Sequence, residues 1–180
     1  MIKLELGAGD RRMPGWTGLD KTFMAEIRCD LEKESLPFED SSVDEIYSSH
    51  FLEHFYHKDL VGHVLPECLR VLKPGCQFRI AVPDASIYVK AYMDGANCPE
   101  VIPIYKKAYF YHSPLDSINY IAYMGGDHKH MFDMENLLAI LEDCGFDDVR
   151  EREFDPDIDV QKRKAQSIFV VAHKPLYDIK

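Results

Sequence analysis

Apolar and polar positions alternate from the first residues of the chain and then break off. Residues 2–6, Ile-Lys-Leu-Glu-Leu, run into Gly7-Ala8-Gly9-Asp10. A buried strand gives way in this manner to a loop whose backbone comes close to a ligand, because a side chain at either glycine would block the approach or forbid the turn. Two more short apolar runs follow, at residues 16–19 and 25–29, and carboxylates close them at Asp20 and Asp30. Both runs predict strands. Residues 10–15 contain Pro14-Gly15 and are too few for a crossover helix, so a loop or a single helical turn is expected there. Residues 43–47 predict a fourth strand, which the chain leaves through Ser48-Ser49-His50. Over residues 51–72 the period becomes helical, with Leu60, Val64, Leu65, Leu69 and Leu72 on one face. Pro66 should kink or divide this helix, and Lys73-Pro74-Gly75 should stop it. Residues 78–82 predict a fifth strand that ends at Pro83-Asp84. Strand ends with polar tips, in register, describe the edge of an α/β sheet at which such folds bind ligands.

The second half of the chain is patterned differently. Residues 86–130 hold seven of the ten tyrosines and are interrupted by Pro99, Pro103 and Pro114. An aromatic insertion after a strand's C-terminal end is expected to lie over the ligand edge as a lid or substrate wall, or to form a dimer contact. Asp133 should cap a helix that buries Leu137, Leu138, Leu141 and Cys144 and ends at Gly145. Residues 148–154 predict a strand, residues 155–164 a charged turn, and residues 166–172 a strand buried on both faces. No repeat, low-complexity tract or linker interrupts the pattern. A single domain over residues 1–180, with the aromatic-rich insertion at about 86–130, is the expectation.

Composition narrows the function. A formal net charge of -10, from 21 basic and 31 acidic residues, argues against a nucleic-acid partner, which would call for a basic stripe. No apolar run approaches the length of a membrane span, and no leader pattern precedes the first strand. Cys29, Cys68, Cys76, Cys98 and Cys144 follow no metal or disulfide spacing, which suits reduced thiols and a cytoplasmic location.

Four stretches together resemble the class I S-adenosylmethionine-dependent methyltransferases. Glu5-Leu6-Gly7-Ala8-Gly9 looks like the family's acidic-Leu-Gly-x-Gly motif, and Asp20 stands where an acidic ribose ligand ends the second strand. Residues 36–44, Leu-Pro-Phe-Glu-Asp-Ser-Ser-Val-Asp, resemble the segment leading into the fourth strand. Arg70-Val71-Leu72-Lys73-Pro74-Gly75 resembles the helix end and turn before the fifth. The resemblance implies a Rossmann-like α/β fold: a seven-stranded, mostly parallel sheet with the last strand antiparallel and helices on both faces. It also implies S-adenosyl-L-methionine as cofactor and a small-molecule or glycan-like acceptor. The chain departs from the family in several places. The interval from Gly7 to Asp20 is short, so the first helix is expected to be missing or reduced. Asp10 stands where a third glycine is common, and Cys76 replaces the second glycine of a Pro-Gly-Gly turn.

The resemblance assigns roles residue by residue. Gly7, Ala8 and Gly9 would give the cofactor close backbone contact, and Glu5 would bond loop amides or the cofactor's amino group. Asp20 would accept from the ribose hydroxyls. Asp30 would accept from the adenine amino group, with Leu31 against the ring. Ser48, Ser49 and His50 would face the methyl-donating end. Methyl transfer depends mostly on positioning, and a hydroxyl or protonated amine acceptor also needs a base. The candidates are His50, Asp84, His128 and His130. Glu53, His54 and His57 fall on the following helix and read as structural. Asp127-His128-Lys129-His130 gathers metal-ligand types, but it reads better as a polar loop before a helix, and no metal is expected. A homodimer is a further expectation. Two other functions compete: a non-catalytic S-adenosylmethionine-binding sensor or scaffold, and a nicotinamide-dependent oxidoreductase. The missing third glycine argues against the oxidoreductase.

Overall fold

The computed structural model describes residues 1–95 and 112–177. Cys98, Pro99, Pro103, Tyr105, Tyr109 and Tyr111, in the middle of the aromatic insertion, lie outside the described residues. The strands are β1 (Lys3–Leu6), β2 (Thr17–Asp20), β3 (Ile27–Arg28), β4 (Val43–Ser49), β5 (Leu72–Pro83), β6 (Asp147–Glu151) and β7 (Ser167–His173). They form a seven-stranded sheet in the order β3-β2-β1-β4-β5-β7-β6. The pairs from β3 across to β5 are parallel, while β7 runs antiparallel to both β5 and β6. This is the sheet that the resemblance implies. Strand order reverses between β1 and β4, the switch point at which open α/β sheets hold ligands.

The helices are α1 (His57–Asp59), α2 (Leu65–Val71), α3 (Ala85–Met93), α4 (Leu115–Tyr123) and α5 (Met134–Asp143). Leu4, Leu6, Ile46, Phe78, Ile80 and Val170 point to one face of the sheet and pack on Leu60, Leu65, Cys68, Leu137 and Leu141. Tyr47, between Ile46 and Ser48, points to the other face and is buried against Met13, Trp16 and Ile158. As the short spacing predicts, no helix joins β1 to β2. Two turns do so instead, closed by Arg11 N–H to Ala8 O (2.9 Å) and Trp16 N–H to Met13 O (3.0 Å).

Several elements differ in detail from the sequence pattern. The break expected at Pro66 is a π-helical stretch, Leu60–Val64, immediately before α2, with Pro66 in the first turn of α2. Proline cannot supply an amide to the preceding turn, and the wider π turn accommodates that loss. β3 is limited to two residues at the sheet edge. β5 begins at Leu72, which pairs with Val43 ahead of an irregularity, and Gly75 N–H then bonds Lys174 O at 2.9 Å. Asp133 caps α5 as expected, its Oδ1 accepting from Asn136 N–H at 2.8 Å. The fully buried face of α5 is Leu137, Ile140 and Leu141, whereas Leu138 and Cys144 are only partly buried. Among the described residues no helix is long and apolar enough to cross a membrane.

Two stretches that stand apart in the sequence are one structure. Arg70 Nη1 donates to Phe38 O at 2.9 Å and to Asp40 Oδ1 at 2.7 Å, and its Nη2 donates to Leu36 O at 3.0 Å. Glu67 accepts from Arg70 Nε at 2.8 Å and, through its other oxygen, from Leu36 N–H at 2.7 Å. The Leu-Pro-Phe segment is thus clamped onto α2 by a planar, forked cation. Arg70→Ala should cost about 1–3 kcal/mol in denaturant unfolding because it leaves backbone carbonyls unpaired. Arg70→Lys should recover less than half of that loss, since an ammonium cannot reproduce the fork.

Candidate functional site

The loop leaving β1 folds back onto β2. Gly7 N–H and Ala8 N–H both donate to Leu19 O, at 2.9 and 3.2 Å. Gly9 N–H donates to Asp20 Oδ2 at 3.0 Å, and Thr22 N–H to Asp20 Oδ1 at 2.9 Å. Gly7 and Gly9 have φ of 68° and 56°, a left-handed conformation that glycine adopts without strain. A Cβ on Gly7 would stand 2.4 Å from the Phe51 ring. Here the first glycine is required by both backbone and packing.

Gly7 forms the partition between two cavities. The first, about 280 Å³, is lined by Gly7, Asp20, Asp30, Leu31, His50, Phe51, His54, Phe55 and Asp127, among others. Five of the residues singled out from sequence therefore meet here: Gly7, Asp20, Asp30, Leu31 and His50. Lys33 pairs with Asp30 and holds its carboxyl below the usual range. The second cavity, about 210 Å³, is lined by Glu5, Gly7, Ala8, Arg11, Ser49, Lys162 and Arg163, with Val160. In it, Arg11 Nη1 donates to the buried Glu5 at 3.0 Å, and Arg163 Nη1 donates to Ser49 O at 2.9 Å and to Ser49 Oγ at 3.0 Å. Burial pushes the Glu5 carboxyl up, and Arg11 opposes that shift.

The remaining sequence candidates are dispersed. Gly9 borders the site through its bond to Asp20. Ser48 is fully buried and lines neither cavity. Asp84, considered as a base because it ends a strand, caps α3: its Oδ1 accepts from Ser86 N–H at 2.9 Å and from Ser86 Oγ at 2.6 Å. His130 stacks on His57 with ring centroids 5.5 Å apart and lines neither cavity. His50 has φ of 52°, and its Nε2 lies 2.7 Å from Ser167 Oγ. Burial and the nearby Arg163 charge push its pKa well below the ordinary value, so the ring is neutral at pH 7.

Sequence reasoning set aside Glu53 and His54 as residues of a long helix. They lie instead on a separate 3-10 turn, Leu52–His54, and the longer helical run starts only at His57. Glu53 is buried, and burial pushes its carboxyl up to about 8. His128 is buried against it, with Nε2 3.9 Å from Glu53 Oε1. The signal available in the sequence was His50-x-x-Glu53-His54, a spacing that gathers side chains in one turn.

Comparison with known proteins agrees with this geometry. A profile of the methyltransferase domain family matches residues 17–80. No curated protein matches the chain by sequence. A SAM-dependent methyltransferase from Methanosarcina mazei superposes with a TM-score of 0.59 at 21% identity, covering 97% of this chain and 92% of that one. A SAM-dependent methyltransferase from Archaeoglobus fulgidus gives 0.59 at 16% identity, with coverage of 96% and 85%. Phosphoethanolamine N-methyltransferase 2 of Haemonchus contortus, solved in complex with S-adenosyl-L-methionine, gives 0.59 at 14%, covering 97% of this chain and 49% of that one. These likenesses show the fold, and the profile adds the methyltransferase domain from β2 into β5. The chain is thus similar to the S-adenosylmethionine-dependent methyltransferases in fold, and over residues 17–80 in sequence profile.

Gly7→Ala tests the partition. With Phe51 in the way and a positive φ to hold, the variant should melt several degrees below wild type. It should also lose at least about tenfold in affinity for S-adenosylhomocysteine by calorimetry, which is about 1.4 kcal/mol.

Proposed function

We propose that the protein transfers a methyl group from S-adenosyl-L-methionine to a small-molecule or glycan-like acceptor, holding the cofactor astride Gly7. The observation that carries this reading is the pair of cavities of opposite character that meet at that glycine. Their donor sets suit the two ends of the cofactor. In the first cavity, Asp20 would accept from the ribose hydroxyls and Asp30 from the adenine amino group, with Leu31 against the ring. In the second, Glu5 would take the ammonium of the amino-acid end, and Arg11 and Arg163 its carboxylate. Gly7 would lie against the part of the cofactor that joins the two ends. When bound, the cofactor supplies a methyl group already activated by a sulfonium charge.

The protein's own contribution is then placement. The carboxylates of Asp20, Asp30, Glu32 and Asp127 line the first cavity together with Lys21; Lys33 pairs with Asp30 at 2.5 Å and Lys129 with Glu32 at 2.6 Å. The formal net charge of -10 disfavours a polyanion, which supports a small or glycan-like acceptor over a nucleic acid. His50 lies in the wall of the first cavity and would help to orient the acceptor.

Calorimetric titration of the intact protein with S-adenosylmethionine and S-adenosylhomocysteine tests the cofactor assignment. Saturable binding is expected, and Asp20→Ala should weaken it by about 10–100-fold, or 1.4–2.8 kcal/mol. No heat at high micromolar ligand would overturn the reading. Radiolabelled methyl transfer across hydroxyl, amine and glycan acceptors then tests turnover. Label incorporated into a small acceptor would exclude a purely non-catalytic sensor.

A further inference from the structure

Three imidazoles surround one buried carboxylate beside the first cavity. Glu53 is 1% exposed, and neither of its oxygens has a hydrogen-bond partner among the described residues. Around Oε1 stand His50 Nδ1 at 3.9 Å, His128 Nε2 at 3.9 Å and His54 Nε2 at 4.0 Å. All three separations are too long for hydrogen bonds. They are about half an ångström wider than the spacing of two ligands on one small tetrahedral ion with bonds of roughly 2.0–2.1 Å.

The protons on these rings can be placed from what the other nitrogens touch. His128 Nδ1 lies 2.8 Å from Ile121 O, and His54 Nδ1 lies 2.9 Å from Asp127 O. A backbone carbonyl only accepts, so both rings carry their proton on Nδ1 and turn an unprotonated Nε2 toward Glu53. His50 reaches the same state by the other nitrogen. Ser167 Oγ donates to Arg163 O at 2.9 Å, so at 2.7 Å His50 Nε2 must be the donor to that hydroxyl. The lone pair of His50 Nδ1 then faces the carboxylate. The lone pairs of His54 and His128 thus lie together with the two unpartnered oxygens of Glu53, and the His50 lone pair faces the same carboxylate. A ring nitrogen fixed by a carbonyl on its far side is the arrangement found behind metal-ligating histidines.

We infer that Glu53, His54 and His128, with His50 as a fourth donor, form a binding site for a divalent transition-metal ion. The donor atoms of the first three residues lie within 4.8 Å of one another. A mixed imidazole and carboxylate set suits zinc, cobalt, iron or manganese better than magnesium or calcium, which prefer oxygen. The scaffold is already tied. Lys129 N–H and His130 N–H bond Glu53 O at 2.8 and 3.2 Å, and this docks the loop bearing His128 against the turn bearing Glu53 and His54. His50 and His54 also line the first cavity, so a bound ion would border the space assigned to the reaction. The inference stands on the cluster itself and is independent of which cofactor fills that space.

The test uses the full chain after chelator treatment, titrated with cobalt(II) and with zinc(II). Calorimetry should give one ion per chain, and the cobalt form should develop visible d–d absorption. Glu53→Gln keeps shape but removes the charge. His54→Asn changes a partly exposed ring and covers the case in which the buried variant does not fold, as judged by circular dichroism. Each folded variant should bind at least about a hundredfold more weakly. His63→Asn, outside the cluster, should bind like wild type. No saturable binding below about 1 mM, a strength of only about 4 kcal/mol, would overturn the site. So would wild-type affinity in both cluster variants. Cofactor titration of the untreated protein is read separately, so either result leaves the methyltransferase reading to its own test.

Discussion

The carbonyl of Leu19 accepts both amides that follow β1, those of Gly7 and Ala8, and the ligand edge is shaped by that fold-back. A chain leaving a parallel strand normally enters a helix, whose free amides and dipole then serve an anionic or polar ligand. This chain has no helix there. It turns within a few residues, using positive φ at Gly7 and Gly9, and Asp20 locks the turn by accepting from Gly9. Because the turn is so tight, Gly7 comes up against Phe51 and becomes a wall shared by two cavities. What a helix N-terminus would offer must come from side chains instead, and Glu5, Arg11 and Arg163 stand in the second cavity.

The same missing helix leaves a face of the sheet to be covered by other means. Two cations lie over the Trp16 ring, Lys3 Nζ at 5.2 Å and the Arg79 guanidinium at 5.9 Å from its centroid. Lys3 and Arg79 both pair with the buried Glu45, and Arg79 also reaches Asp155 at 2.9 Å. Exposed pairs of this kind contribute little singly, but here they are linked and half-buried under an aromatic ring. They have a structural consequence. Asp155 O accepts from Ile158 N–H at 3.2 Å, Ile158 O accepts from Arg11, and Arg11 holds Glu5. The charge network on the far face thus runs, through one loop, to a carboxylate in the second cavity.

Features set by neighbours in the chain were legible in the sequence, and features set by distant contacts were not. The end of β1, the carboxylates at 20 and 30, the cap at Asp133 and the buried run in β7 all follow from short stretches, and the structure has each in place. Asp84 has a partner close by in the chain: two residues later Ser86 offers an amide and a hydroxyl, and the Asp84 side chain caps α3 through them. The Arg70 clamp was visible only as two separate motifs, since nothing local says that a guanidinium on α2 will seek carbonyls more than thirty residues back. Ile140 replaces Leu138 on the inner face of α5 because the helix phase depends on what it packs against.

Glu53 is the extreme case of a residue whose meaning lies outside its own stretch. Locally it is one polar residue in a short turn; in the fold it is surrounded by rings contributed by two segments far apart in sequence. Burying a carboxyl without partners costs several kcal/mol, against a total stability of about 5–15 kcal/mol for a typical domain. Protonation would remove the charge but leave an O–H with no ring nitrogen closer than 3.9 Å. Closing the ring nitrogens onto that O–H would satisfy one of them and leave the others facing each other. A small cation answers every member of the set at once, and it does so where His50 and His54 border the cavity that also contains the carboxylates of Asp20 and Asp30. The cost of the buried carboxylate and the position of the cavity therefore point to the same place in the fold.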